Sequence, residues 1–321
     1  MRTFWLKTRL WLCVAFLFAI IYGLITLIAY LFGVTMPVFY AILAFAIVGI
    51  QFLVGPKIVE ASMKIKYVEP NEEPWLHQTI DELSREAGVP KPRVGIANIN
   101  IPNAFAFGRS KKDGRVCVTK GILNALNKDE LKAVLAHEMS HIKHRDMVLI
   151  SALSALPLIC FVAYRSLFFS ALFRGRRNGG AGILIAVVAF VLYLITNLAV
   201  LYASRIREYY ADAGAVELTQ KPEDLASGLY RLVVGSVRAN PKELKQIEGI
   251  RAFLASDPTH ARKDLYEITK ADLNRDGHLD RHEVEIMAKE AKISRTDRIM
   301  ETFSTHPNII NRIKRLNTYV R

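Results

Sequence analysis

The chain has 321 residues, of which 51% are hydrophobic, and a formal net charge of +13. This length accommodates about two domains of ordinary size. The basic residues are spread along the polar parts of the chain, and several flank the first apolar region: Arg2, Lys7, Arg9, Lys57, Lys64 and Lys66. This distribution favours a lipid bilayer as the partner and argues against nucleic acid. Three cysteines, two of them within apolar segments, exclude a disulfide framework.

Four apolar segments are each about long enough to cross the hydrocarbon layer of a bilayer. They cover residues 11–32, 38–54, 147–173 and 183–203. Short breaks group them into two transmembrane helical hairpins. A cleavable signal peptide is the alternative for the first segment, but its apolar stretch is longer than a typical signal core and a second run follows almost at once.

The polar parts of the chain predict a mainly α fold with a small β-sheet. Residues 71–88 have helical periodicity, with Asn71 as the cap. Alternating patterns predict strands at 93–99, 104–107 and 115–119. Asn127 and Glu130 form a capping-box pattern that begins a helix running to residue 146. Further helices are predicted at 204–218, 223–238, 242–255, 264–271, 281–291, 296–303 and 307–320.

These elements divide the chain into two membrane parts and two soluble parts. The first hairpin covers 1–56, and the second hairpin, which either crosses the bilayer or is partly re-entrant, covers 147–203. The soluble parts are 57–146, which includes the helix from Asn127, and 204–321. No internal repeat or low-complexity tract interrupts this plan.

A HEMSH pentad lies on the predicted helix that begins at Asn127. Because residues four apart on a helix lie one above the other, His137 and His141 can direct two imidazoles at one zinc ion. Glu138 lies one position round the helix, where its carboxylate can accept a proton from the attacking water and return it to the leaving amine. A chance match on a helix surface is the alternative, and the apolar helical context argues against it.

A catalytic zinc ion needs a third protein ligand. The segment SRIREYYAD after the second hairpin places Glu208 and Asp212 four residues apart on one helical face. Glu208 can complete the zinc site, and Asp212 can accept an N–H from a ligating histidine and so fix its tautomer. An ordinary surface helix with solvated carboxylates is the competing interpretation of this segment.

The pentad after DELKAVLA, SRIREYYAD after a hairpin, and STHP at residues 304–307 together resemble the HtpX family of membrane metalloproteases. The resemblance covers most of the chain and implies a zincin-like minidomain joined to membrane helices. It implies that His137, His141 and Glu208 bind zinc and that Glu138 is the catalytic base. It also implies proteolysis of membrane or misfolded proteins as polypeptide substrates, with the active site facing the cytoplasm.

Two further segments are candidate parts of this site. Asn103, Ala104, Phe105 and Ala106 belong to a predicted edge strand that could pair with an extended substrate, although a purely structural strand is equally compatible. His306 begins the last amphipathic helix, and we consider it a stabiliser of the oxyanion or an inhibitory fourth zinc ligand. A capping role at the helix start is the alternative.

Residues 272–283 match the calcium loop of the EF-hand at every informative position. Gly277 provides the sharp turn at position 6. The oxygen ligands would be the side chains of Asp272, Asn274, Asp276, Asp280 and Glu283 and the backbone carbonyl of His278. A polar surface turn between two helices is the alternative. The resemblance to the HtpX family does not predict this loop.

Membrane topology follows from the site, because His137 and Glu208 must lie on the same side of the bilayer. Basic residues before the first hairpin place that side in the cytoplasm. The turn of the second hairpin conflicts with this rule, since it contains Arg174, Arg176 and Arg177.

Two functions fit the sequence. The first is a zinc endopeptidase of the cytoplasmic membrane, modulated by calcium and active in protein quality control. The second is a calcium-binding membrane adaptor or receptor built on an inactive protease scaffold. Because Glu138 stands between two intact ligands, the sequence favours the enzyme. The oligomeric state stays open.

Overall fold

A computed structural model describes residues 37–173, 179–238 and 261–319, together with isolated positions between 8 and 19. Most of the first apolar segment, the basic turn at 174–177 and the predicted helix at 242–255 lie outside the described residues. The described chain is mainly helical and contains a small mixed sheet, as the sequence predicts.

The chain forms two compact units. The first contains Met1–Gly55 and Val148–Ile206, and the second contains Pro56–Met147 and Arg207–Arg321. The second unit contains every residue to which the sequence assigns a chemical role.

The first unit is helical. Helix α1 (Pro37–Ser62) begins in it, and α5 (Asp146–Phe173) and α6 (Gly179–Thr219) provide the rest of its described helices. Two described stretches, Asp146–Arg165 and Ile183–Thr219, are long and apolar enough to cross a membrane by length and composition. Helix α6 continues without a break beyond the predicted end of the apolar segment at residue 203. SRIREYYAD contains neither glycine nor proline, so the polar turns extend the apolar helix that precedes them.

The sheet of the second unit has the order β1-β2-β4-β3. Its strands are β1 (Ile65–Tyr67), β2 (Arg93–Ala97), β3 (Ala104–Phe107) and β4 (Arg115–Thr119). Strand β3 is antiparallel to β4 and lies at an edge, whereas β2 and β4 are parallel. The sequence prediction missed β1, because three half-exposed residues do not establish an alternating pattern. Strand β2 ends two residues earlier than predicted.

The helices of the second unit surround this sheet. They are α2 (Pro74–Ala87), α3 (Lys120–Ala125), α4 (Lys128–His144), α7 (Pro222–Arg238), α8 (Ala261–Thr269), α9 (Arg281–Glu290), α10 (Arg295–Thr302) and α11 (Ile309–Asn317). The prediction that Asn71 caps α2 is wrong, because Glu73 is the cap residue and Pro74 begins the helix. Helix α4 has the predicted capping box of Asn127 and Glu130.

Helix α4 ends at His144 rather than at residue 146, because Arg145 adopts a left-handed conformation with φ of 57°. A new helix then begins with Asp146. Helix α4 packs against α2, β3 and α7. Close approach to α6 depends on Gly214, where a Cβ atom would lie 2.1 Å from Ser140 Oγ. The missing side chain lets the two helices that carry the candidate metal ligands come together.

Candidate metal centre

Helices α4 and α6 bring three predicted ligands to one point. His137 Nε2 lies 3.2 Å from His141 Nε2. The Glu208 carboxylate lies 3.7 Å from His137 Nε2 through Oε2 and 3.5 Å from His141 Nε2 through Oε1. Among the described residues, these three form the group of histidine, cysteine and carboxylate side chains that could hold a metal ion.

The geometry of this group suits zinc. In a tetrahedral site with bonds of about 2.0–2.1 Å, two donor atoms lie about 3.3–3.4 Å apart. The two histidine nitrogens, 3.2 Å apart, lie close to that value. One donor atom from each of the three residues lies within 4.8 Å of the others. Nitrogen and carboxylate oxygen are also donors that zinc accepts, and three protein ligands leave one tetrahedral position for a water or a substrate oxygen.

His137 is oriented by a buried carboxylate. Its Nδ1 donates a hydrogen bond to Asp212 Oδ1 over 3.0 Å, which leaves the lone pair of Nε2 free to bind a metal. Asp212 in turn accepts two hydrogen bonds from Arg312, at 3.0 Å from Nε and 2.6 Å from Nη2. Arg312 Nη1 also lies 3.3 Å from Glu208 Oε2. The guanidinium therefore contacts both carboxylates, Glu208 and Asp212, that α6 contributes to the site.

His141 is oriented in the same way. Its Nδ1 donates to Asp146 Oδ2 over 2.8 Å, and Asp146 forms a buried ion pair with Arg207. The sequence prediction missed Asp146, Arg207 and Arg312. Arg312 had a detectable signal, because it lies on the same face of α11 as Ile309, Ile313 and Leu316, all of which are buried.

The charges of the buried groups also favour a cation. Four carboxylates are buried at the site, on Glu138, Asp146, Glu208 and Asp212, against the two guanidinium groups of Arg207 and Arg312. When both histidines are neutral, as metal ligands must be, and all four carboxylates are ionised, two negative charges are not balanced by the two guanidinium groups. Unpaired charge is costly in a protein interior. A divalent cation held by His137, His141 and Glu208 would balance it.

The histidine pKa values reflect these partners. Burial lowers the pKa of His137, but hydrogen bonds to Asp212 and Glu208 outweigh burial and raise it. Burial likewise lowers the pKa of His141, and the carboxylates of Asp146 and Glu208 raise it well above the ordinary value. A metal ion must therefore displace protons to bind.

Glu138 is buried next to the edge strand β3. Burial raises the pKa of its carboxyl group, although the histidines and a hydrogen bond from the Ala106 backbone lower it. This hydrogen bond brings the predicted substrate strand to the predicted catalytic base. Asn103 precedes the strand, and its backbone N–H donates to Thr119 Oγ1 over 2.9 Å.

His306 also reaches the site. Its Nδ1 lies 3.1 Å from Oε2 of Glu208, the third candidate ligand. Neither ring nitrogen makes a hydrogen bond of good geometry within the described residues. The structure thus places His306 beside Glu208 and outside the group of three donors.

The predicted calcium loop lies between α8 and α9. Gly277 N–H donates to Asp272 Oδ2 over 3.1 Å, and the N–H groups of Leu273 and Asp280 donate to the two oxygens of Glu283. Within the described part of the chain, the loop carboxylates do not form a group close enough to share an ion. Glu283 is instead used in the capping box of α9 with Asp280.

Comparison with known proteins gives a consistent result. The profile of Peptidase family M48 matches residues 70–320. A Protease HtpX homolog from Methanothermobacter thermautotrophicus is 50% identical over 234 residues, covering 73% of this chain and 88% of the relative. Another from Aeropyrum pernix is 33% identical over 282 residues, covering 86% and 84%.

A solved structure shares the fold. The crystal structure of S. mikatae Ste24p matches with a TM-score of 0.54 and 17% identity, over 99% of this chain and 67% of that chain.

Replacing Arg312 tests whether its guanidinium positions the metal ligands. Arg312→Met leaves Asp212 buried without its cationic partner, a loss of about 3–5 kcal/mol in the free energy of unfolding. We expect zinc affinity to fall by about 10–100-fold. Arg312→Lys keeps the charge but loses the paired hydrogen bonds, so we expect an intermediate loss.

Zinc affinity by chelator competition and thermal melting measure these effects. Arg281→Met is the matched control, because Arg281 is exposed and its Nε lies 3.9 Å from the Glu285 carboxylate. Wild-type zinc affinity in Arg312→Met would contradict the positioning role.

Proposed function

This chain belongs to peptidase family M48, among the HtpX-type membrane proteases, and on this basis we propose that it is a zinc-dependent endopeptidase. The observation that carries the proposal is the triangle of His137, His141 and Glu208 donors, with Glu138 on the same helix. Its substrates would be misfolded or membrane proteins, as in protein quality control.

The residues of the site have distinct roles in this proposal. Zinc, when bound, would act as a Lewis acid that polarises the scissile carbonyl and acidifies water. Glu138 accepts a proton from the attacking water and donates it to the leaving nitrogen. Its raised pKa helps with both steps, because a carboxyl group with a pKa nearer to neutrality both gains and releases a proton readily. Asp212 and Asp146 hold the two imidazoles in the ligating tautomer.

Strand β3 is the proposed site for the substrate backbone. The strand lies at the sheet edge, and the backbone of Ala106 reaches Glu138. An extended polypeptide could add to this edge by main-chain hydrogen bonds, along residues Asn103, Ala104, Phe105 and Ala106. Main-chain pairing demands little of the substrate sequence, which fits a protease of misfolded proteins.

His306 is proposed to act on the same reaction. Because its Nδ1 is 3.1 Å from Glu208 Oε2, its ring stands at the edge of the metal site. In the active state it would stabilise the oxyanion. In a closed state it would be an inhibitory fourth ligand of the metal ion.

Calcium binding by loop 272–283 is a second proposal, supported by two observations. Asp272 is buried, and its Oδ1 accepts no hydrogen bond within the described residues. Gly277, at loop position 6, has the required positive φ of 80°. To bind calcium, Glu283 would have to exchange its backbone N–H partners for the cation.

A calcium-binding adaptor built on an inactive scaffold is the alternative function. Calcium binding by the loop is compatible with both the endopeptidase and the adaptor, and the two functions differ in the role of Glu138. An adaptor has no use for a buried carboxylate next to the metal ligands.

Glu138→Gln distinguishes the two functions. We expect the variant to retain zinc and to lose about 10²–10⁴-fold in kcat/KM on casein, because an amide cannot accept the proton. A chelator should abolish wild-type cleavage, and added zinc should restore it. Glu86→Gln, the same change at an exposed position, is the control. Cleavage at the wild-type rate by Glu138→Gln would rule out the mechanism.

Calcium binding predicts a change in melting temperature. At a calcium concentration about 100 times Kd, the native state should gain about 2.7 kcal/mol. The double variant Asp272→Ala, Glu283→Ala should lose this gain. Asp276→Asn should weaken it with little effect on the fold, since Asp276 is exposed, and Glu285→Ala, outside the loop, should keep it. If millimolar calcium changed neither the melting temperature nor the activity of the wild type, the proposal would be refuted.

The chain is a membrane protein, and we propose that it lies in the cytoplasmic membrane with the active site facing the cytoplasm. The basic residues before the first hairpin support this orientation. If the second hairpin crosses fully, a cysteine at Gly179 in sealed vesicles should react from the outer side. The native cysteines are buried and provide a low background. Labelling from the cytoplasmic side alone would instead require a re-entrant hairpin.

A further inference from the structure

Helix α10 of the second unit is amphipathic, but its apolar side chains face solvent. Ile299 and Met300 in the helix and Phe303 directly after it are 61%, 44% and 63% exposed, and we name these three residues the α10 patch. No residue of the helix is buried. The patch therefore contributes little to the core, and folding does not account for three large apolar side chains at these positions.

The α10 patch is held in a defined place. Ser294 and Asp297 form a capping box at the start of the helix. Glu301 Oε2 accepts a hydrogen bond from Asn311 Nδ2 over 3.0 Å, and Lys314 Nζ donates to the Ala291 carbonyl over 2.6 Å. The last two bonds attach α10 and the residue Ala291 before it to α11, the helix that carries Arg312.

The patch is also close to the metal centre. Phe303 precedes His306 by three residues, and His306 Nδ1 lies 3.1 Å from Glu208 Oε2. Three residues span at most about 11 Å. An extended chain bound at the centre would cover that distance with three or four residues.

The net charge of α10 and the small area of the patch indicate which kind of partner binds there. The charged residues of α10 are Arg295, Arg298, Asp297 and Glu301, which sum to zero, whereas helices that lie on anionic membranes are rich in lysine and arginine. Three side chains also provide far less than the roughly 800 Å² per partner of a stable dimer. An apolar stretch of a flexible polypeptide needs neither positive charge nor a large flat surface.

We propose that Ile299, Met300 and Phe303 form an exosite for apolar segments of unfolded polypeptide substrates, outside the residues that flank the cleaved bond. The inference rests on the proposed proteolytic function. It adds a reason why an unfolded chain binds better than a folded one, whose apolar residues are buried. Methionine adapts to varied side chains, which suits a site that accepts many sequences.

The test compares a long and a short substrate of the full chain in detergent. In the variant Ile299→Ser, Met300→Ser, Phe303→Ser, we expect KM for casein to rise about tenfold, because apolar contact area is lost. Both kcat and the KM for a peptide of about six polar residues should stay unchanged, because such a peptide carries no apolar side chain that could bind the patch. Tyr266→Ser, an exposed aromatic residue of the same unit, is the control. Phe303→Ser alone should give a smaller rise.

The outcomes separate the proposals. An unchanged KM for casein, or an equal rise for both substrates, overturns the exosite and leaves proteolysis intact. Lost binding to anionic vesicles with normal casein kinetics overturns it in favour of a membrane contact. If the wild type cleaves neither substrate, the proteolytic function fails and the exosite fails with it.

Discussion

The ion pairs of the Arg312 guanidinium connect the buried carboxylates of the candidate metal centre. The guanidinium is 99% buried, it bonds Asp212 through two nitrogens, and its third nitrogen contacts Glu208. Asp212 sets the tautomer of His137. Arg312 therefore contacts one candidate ligand, Glu208, directly and orients another, His137, through Asp212. Buried carboxylates of the same helix would otherwise repel each other across one turn. Helix α11 thus belongs to the candidate metal centre although it provides none of the three candidate ligands.

A matching arrangement supports the other histidine. The left-handed residue Arg145 ends α4 and lets Asp146 reach back to His141 Nδ1. Arg207 neutralises Asp146 from the helix that carries Glu208. Each imidazole therefore has a carboxylate, and each carboxylate has an arginine from a distant part of the chain. These arginines balance part of the buried negative charge, and a divalent cation would balance the remainder.

The start of α4 is joined to the loop at 272–283. His278 Nδ1 donates to Glu130 Oε1 over 2.7 Å, and Ser227 Oγ donates to the same oxygen over 2.6 Å. Glu130 is the capping-box residue of the helix that carries the HEMSH pentad. His278 therefore contacts the first turn of the helix that carries the pentad. This junction gives the calcium proposal a physical path to the site.

Local patterns in the sequence were sufficient for several features: the HEMSH helix and its capping box, strands β3 and β4, and the helices on both sides of the loop at 272–283. The same patterns identified His137, Glu138, His141 and Glu208 as candidates, because helical spacing alone places such residues on one face. The short strand β1 and helix α3 escaped prediction, since few residues leave no measurable period.

Tertiary structure alone decided how these candidates meet. Arg312 follows Asp212 by 100 residues, and Asp146 precedes Arg207 by 61, so no local period connects either pair. The contact of α4 with α6 at Gly214 likewise depends on packing rather than on propensity. Composition and spacing determined which side chains could bind a metal ion. Long-range burial of charge determined which of them are held together, because only a folded interior makes an unpaired carboxylate costly enough to require a partner.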